Sequence, residues 1–148
     1  MKLILLVVLL VISAQVLSAP NQMGLGVMLG NPTGLNGKYW LDNKHAVDGR
    51  AAFAFGKRTY LSLHSDYLFH SEEAFFYNDV HALDLYFGLG GRMEFGDAIN
   101  LGVRLPLGLV HRMKNDTADI FTEIAPILDF VGRSGLDLHL AVGARYYF

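Results

Sequence analysis

Leu136-Asp-Leu-His-Leu-Ala-Val-Gly-Ala-Arg-Tyr-Tyr-Phe148 ends the sequence and decides how the rest of it is read. Successive side chains of a β-strand point to opposite faces. One face of this stretch therefore carries Leu136, Leu138, Leu140, Val142, Ala144, Tyr146 and Phe148, and the other Asp137, His139, Ala141, Gly143, Arg145 and Tyr147. The first face is apolar throughout and ends in aromatics; the second is polar or small. A strand of about ten residues patterned in this way is long enough to cross a bilayer with one face on lipid.

Working back from it, the same alternation recurs between stretches of turn chemistry. The first segment, Met23 to Gly30, sets Leu25, Val27 and Leu29 against Gly24, Gly26, Met28 and Gly30, and Asn31-Pro32-Thr33-Gly34 turns the chain. The second, Leu35 to Asp42, sets Leu35, Tyr39 and Leu41 against Asn36, Lys38 and Trp40. The third, Ala46 to Phe55, has Val47, Ala51, Phe53 and Phe55 opposite Asp48, Arg50, Ala52 and Ala54. The fourth places Leu61, Leu63, Tyr67 and Phe69 against Ser62, His64, Asp66 and His70. Ser71 to Val80 breaks the alternation and is expected to be the longest connection, with room for a short helix. The fifth, Ala82 to Phe95, opposes Leu83, Leu85, Phe87, Leu89, Met93 and Phe95 to Asp84, Tyr86, Gly88, Gly90, Arg92 and Glu94. The sixth opposes Leu101, Val103, Leu105, Leu107 and Leu109 to Gly102, Arg104, Pro106, Gly108 and Arg112; the seventh, Ile120 to Val131, opposes Ile120, Ile124, Leu128 and Phe130 to Glu123, Ala125 and Asp129. The closing stretch is the eighth. The expected fold is all-β: an eight-stranded antiparallel up-and-down transmembrane β-barrel over residues 20–148, after an N-terminal signal peptide at 1–19.

The leader reading rests on Lys2, the apolar run Leu3 to Ile12, and the small-residue exit through Ser13, Ala14, Ser18 and Ala19. That run is shorter than the roughly 20 residues of a transmembrane helix. With 148 residues the chain is one domain, and without cysteine it forms no disulfide and no thiolate metal site. Hydrophobic residues make up 52% and charged ones only 18%, so much of the apolar surface must face something other than water. Loss of Lys2 with the leader leaves eleven basic against fourteen acidic residues, a net of −3, and nothing in the balance points to nucleic acid.

Alternation alone also fits a soluble barrel with an oily interior, so the orientation has to be argued. The polar face is rich in small residues, among them Gly24, Gly26, Gly88, Gly90, Gly102 and Gly108, and an eight-stranded barrel has an interior only just wide enough for side chains. Its charges are nearly balanced, as buried charges must be. Aromatics such as Phe55, Phe69, Phe95, Tyr146 and Phe148 sit at strand ends, where an interfacial girdle belongs. An arginine at the lipid midplane costs about 2–4 kcal/mol. Arg50, Arg104 and Asp84 are all mid-strand, so that face is expected inside. The expected lumenal charge network is Arg50, Asp66, Asp84, Arg92, Arg104, Glu123 and Arg145.

The closing strand, with Phe148 last and Tyr146 two residues before it, resembles the C-terminal strand of bacterial outer-membrane β-barrels, and the whole of Gly24 to Phe148 resembles the small eight-stranded barrels of the OmpA and OmpX type. The resemblance implies location in the outer membrane of a Gram-negative bacterium. It implies contact with outer-membrane lipid, and recognition by the barrel-assembly machinery through Leu140, Val142, Tyr146 and Phe148. Relatives of this type have short periplasmic turns and longer external loops. Here every connection is short except Ser71 to Val80, which would lie on the periplasmic side with the termini.

Ser62, His64 and Asp66 share one face in the order of a nucleophile, base and orienting acid, and some small outer-membrane barrels modify lipids. Same-face neighbours on one strand stand about 7 Å apart and parallel, poor geometry for a relay. They read better as lumenal polar residues. His64, His70, His81 and His139 share no spacing that defines a metal site, and Trp40 and Tyr86 read as bore-filling aromatics. The chain is therefore expected to be a barrel of structural or interaction role with a packed, ion-paired lumen, with no enzyme activity, cofactor or metal. The alternatives are a periplasmic lipocalin-like carrier of a small apolar ligand, an outer-membrane lipid-modifying enzyme, and a narrow pore.

Overall fold

A computed structural model describes residues 22–54, 59–76 and 82–148. Its strands are β1 Met23–Asn31, β2 Thr33–Trp40, β3 His45–Ala54, β4 Tyr60–Phe76, β5 Ala82–Phe95, β6 Ile99–Arg104, β7 Leu107–Arg112, β8 Ala118–Val131 and β9 Gly135–Tyr147. Every pairing is antiparallel. Each strand bonds to neighbours on both sides, and β9 returns to β1 with Gly24 opposite Tyr147 and Asn31 opposite Leu140, so the circle of pairings closes. Closure of this kind removes the free edges of a sheet. Strands β6 and β7 lie end to end between β5 and β8 and together make one stave, which gives the eight staves expected from the sequence.

The sixth stave was expected to be continuous and is instead interrupted at Leu105 and Pro106. Proline has no N–H for the ladder. Gly88 N–H donates to the Pro106 carbonyl at 2.9 Å and Leu105 N–H to the Pro126 carbonyl at 3.0 Å, and neither proline can return the second bond that such an antiparallel pair exchanges.

A second expectation fails between Ser71 and Val80. From Ser71 to Phe76 the chain is not a connection but strand, because β4 continues to Phe76 and pairs with the start of β5, and 77–80 lie outside the described residues. Ser71 faces Leu85 whereas Phe75 faces Leu83, so β4 carries two extra residues in a bulge. The two extra residues leave a stretch of β4 with no partner on β5, and this interruption of the ladder falls where the alternation stops at Ser71. The leader segment, Phe55, Tyr77 and His81 lie outside the described residues.

The burial pattern fixes the orientation. Val27, Leu29, Leu35, Phe53, Leu89, Leu105, Leu128, Leu140 and Val142 are all exposed on the outer surface, while Lys38, Asp48, Arg50, Asp66, Arg92, Arg104, Asp119, Glu123 and Arg145 are buried within the ring. An apolar-lined cavity, as a lipocalin-like carrier needs, is the reverse of this arrangement. On the outside, Tyr67, Phe69 and Phe87 pack in series near the end of the barrel that holds the termini, with ring centroids 5.0 and 5.5 Å apart. Phe53 and Phe95 flank Leu61 near the other end. Aromatics thus border the apolar band on both sides, as in membrane barrels.

Inside, side chains rather than backbone fill the space. Gly90 lies opposite Asp66, and a Cβ there would collide with that carboxylate. Gly108 similarly gives its volume to the Tyr86 ring. The glycines of the polar face are thus the floor on which long charged side chains lie.

Candidate functional site

The interior charges form three clusters along the bore. The central one is built from five staves. Arg50 on β3 meets Glu123 on β8 through Nη1–Oε1 at 2.6 Å and Nη2–Oε2 at 2.5 Å. Arg104 on β6 donates to the same Oε1 at 2.5 Å, and the Tyr86 hydroxyl on β5 donates to Oε2 at 2.8 Å. Asp48 accepts from Arg50 Nη2 at 2.7 Å, and Asp66 pairs with Arg104 Nε at 3.0 Å. One carboxylate with four charge-assisted or phenolic donors is a strong node. It lies across the interior.

Toward the end that holds the termini, Arg145 Nε donates to Asp119 at 2.9 Å, and the Tyr147 hydroxyl donates to the other oxygen at 2.7 Å. The Arg145 guanidinium lies 4.1 Å from the Phe121 ring centroid. Arg112 holds Asp84 through Nε at 2.8 Å and Nη2 at 2.7 Å. Lys38 donates to His70 Nε2 at 2.7 Å and sits 4.1 Å from the Trp40 ring and 5.7 Å from Tyr86, a cation held by aromatic faces. Toward the opposite end, Arg92 pairs with Asp129, contacts Asp137 at 2.9 Å and His139 Nε2 at 2.9 Å, and lies 3.7 Å from Glu94.

All seven residues expected in one lumenal charge network are buried, but they fall into these separate groups. Arg50, Asp66, Arg104 and Glu123 meet; Arg92, Asp84 and Arg145 each belong to another cluster. The sequence reading missed Asp119 because it began the seventh strand at Ile120. Continuing the period of two by one residue puts Asp119 on the polar face, opposite Arg145. It also missed the Lys38–His70 contact, which spans 32 positions and leaves no local signal.

The triad order Ser62, His64, Asp66 does not become a relay. Ser62 Oγ and His64 Nε2 have no hydrogen-bond partner among the described residues, and His64 Nδ1 instead faces Arg104 Nη1 at 3.2 Å. All three are buried within the ring. His64 and His139 approach to 6.1 Å between ring centroids, whereas His70 belongs to the Lys38 cluster. Among the described residues no group of three or more His, Asp or Glu is placed to hold a metal ion. Leu140, Val142 and Tyr146 face outward, and the Phe148 N–H donates to the Met23 carbonyl at 3.0 Å.

A closed ring of strands, oily outside and ionised inside, is the geometry of a membrane-spanning barrel. The outer membrane protein beta-barrel domain family matches residues 4–148. The chain belongs to this family. Its members are outer-membrane proteins, and the chain is accordingly an all-β, antiparallel outer-membrane barrel protein. Among solved structures it is similar to the crystal structure of Neisserial surface protein A, at 11% identity, over 85% of this chain and 93% of that one, with a TM-score of 0.49. No curated protein sequence matches it.

Proposed function

We propose that the barrel is a closed outer-membrane element with a structural or interaction role, and neither a pore nor an enzyme. The observation that carries this reading is the Glu123 node. Arg50, Arg104 and Tyr86 reach one carboxylate from three other staves and occupy the middle of the bore. An eight-stranded barrel has no lumen to spare beyond its side chains. Opening a path would require separating buried charge pairs, at several kcal/mol each. Planar-bilayer recording tests this: the purified protein is expected to add no conductance to the bare bilayer, and discrete steps would reverse the conclusion.

In the same reading Met1 to Ala19 is removed on export, and the barrel-assembly machinery engages the last strand through Leu140, Val142, Tyr146 and Phe148 before β9 closes on β1. The supporting feature is that β9 carries an unbroken outward apolar row and is the strand that pairs with β1 to close the ring. The partner on the outer surface is outer-membrane lipid. Absence of enzyme activity is tested by lipid profiling of cells with and without the protein. An acyl-chain change restored by the native protein but not by Ser62→Ala would overturn that part.

A further inference from the structure

The outer wall near the termini carries a cavity of about 390 Å³, lined by Lys44, His45, Phe69, His70, Ser71 and Phe87. Unlike the bore it is open, since Lys44, Phe69, Ser71 and Phe87 are all exposed. Its volume falls within the range of about 300–1,000 Å³ of small-molecule sites. The floor is apolar. Phe69 and Phe87 stack with centroids 5.5 Å apart and planes 16° apart, and the His45 ring stands edge-on to Phe69 at 5.3 Å. These rings belong to the aromatic border of the apolar band, where acyl chains give way to headgroups.

The rest of the lining is polar and lies toward the termini. Ser71 is the next outward position after Phe69 on β4, and Lys44 and His45 close the connection from β2 to β3. Lys44 is anchored through both of its backbone groups: its N–H donates to Asp42 Oδ1 at 2.7 Å, and its carbonyl accepts the His70 N–H at 2.7 Å. The side chain therefore starts from a fixed point, which lowers the cost of ordering it on a ligand. Among the described residues its ammonium has no carboxylate within ion-pair distance. Asp42 is taken up by the Lys44 and His45 N–H groups and by His45 Nδ1 at 2.6 Å, which leaves Nε2 as the free nitrogen of that ring.

We propose that this cavity is the headgroup site of one anionic phospholipid, whose phosphate pairs with Lys44 and accepts from the Ser71 hydroxyl while its acyl chains lie on Phe69 and Phe87. The inference rests on the reading above that outer-membrane lipid covers the wall; it adds which lipid and where. An exposed ammonium beside an apolar floor at the membrane boundary complements a phosphate that carries acyl chains. Charge sets the preference. A zwitterionic headgroup brings an ammonium of its own next to Lys44, whereas a glycerol headgroup brings none and offers a hydroxyl to His45 Nε2. Two stacked phenyl rings give a phosphate free in water nothing to bind.

The test titrates the full-length barrel, in non-ionic detergent at constant ionic strength, with phosphatidylglycerol or with phosphatidylethanolamine of the same acyl chains, and counts retained lipid by native mass spectrometry. Phosphatidylglycerol should be retained saturably as a single molecule, with phosphatidylethanolamine at least about tenfold weaker. Lys44→Gln alters an exposed side chain and should fold normally, as heat-modifiable gel mobility would confirm, yet weaken phosphatidylglycerol by about tenfold. Lys114→Gln removes another exposed lysine, from the connection between β7 and β8 at the same end, and should leave retention unchanged. Equal retention of the two lipids, unchanged retention in folded Lys44→Gln, or equal losses in the two lysine variants would overturn the site, the last by reducing it to diffuse surface charge. A spin label at position 105 in vesicles separates this outcome from failure of the underlying reading. Hydrocarbon at 105 without a lipid preference removes the site alone, and water at 105 removes the lipid-covered wall as well.

Discussion

Arg50 and Glu123, 73 positions apart in the chain, face each other across the barrel interior in a two-pronged ion pair of 2.6 and 2.5 Å. Neither side chain reaches water, so the pair is held by geometry and not by solvation. Removing one member of such a pair leaves a buried charge without its counterion, at about 3–5 kcal/mol. Glu123→Gln is therefore expected to lower stability by that amount, read from urea unfolding in lipid vesicles. A loss under about 1 kcal/mol would mean that Arg50 and Arg104 find other partners at little cost.

Leu105 and Arg104 are neighbours with opposite fates: the first is exposed on the outer surface and the second is buried in the central cluster. Leu105→Arg should cost about 2–4 kcal/mol in a bilayer, the penalty for a midplane cation. A spin label at position 105 should report hydrocarbon, and a watery signal there would place the apolar face wrongly.

The turn between β2 and β3 is governed by Asp42. Its carboxylate accepts the Lys44 and His45 N–H groups at 2.7 and 2.8 Å and the His45 ring nitrogen at 2.6 Å. The backbone N–H of Lys44, followed by the His45 side chain, holds this acid below its ordinary pKa. A lowered folded-state pKa contributes stability that is present above the unfolded value, about 4, and is lost as pH falls through the folded one. Amide exchange at Lys44 and His45 should accordingly speed up on acidification below about pH 4, relative to intrinsic rates. In Asp42→Asn that acid-dependent step should vanish.

Phe148 ends the chain with its N–H bonded to Met23, which ties the last strand to the first. Deleting it is expected to lower the amount of heat-modifiable barrel in the membrane fraction while leaving export across the inner membrane intact. Equal membrane levels of truncated and intact protein would show that the terminal aromatic is dispensable for assembly.

Most of the fold was legible because a membrane barrel imposes one rule on every strand. The period-two pattern sorted Leu25 from Gly26, Phe87 from Tyr86 and Leu140 from His139 without knowledge of any partner. The rule fails where geometry is set by the neighbouring strand. The bulge after Ser71 shifts the register, and Pro106 breaks a stave that apolar residues continue on both sides. Interior pairings were less legible. Charge balance indicated that Arg104 and Glu123 must be neutralised, but which cation meets which anion depends on stagger around the ring. Lys38 with His70 and Arg92 with Asp129 are therefore visible only in three dimensions.

The prolines at 106 and 126 carry a consequence for how the barrel fails. On either side of the β6–β7 stave one rung is held by a single bond, and in hydrocarbon no water can stand in for the missing donor. The stave is thus loosely stitched on both flanks. Denaturant should loosen it first, so the amides of Gly88 and Leu105 would exchange ahead of their ladder neighbours, and the lifetime of the whole cylinder would be set by this one seam.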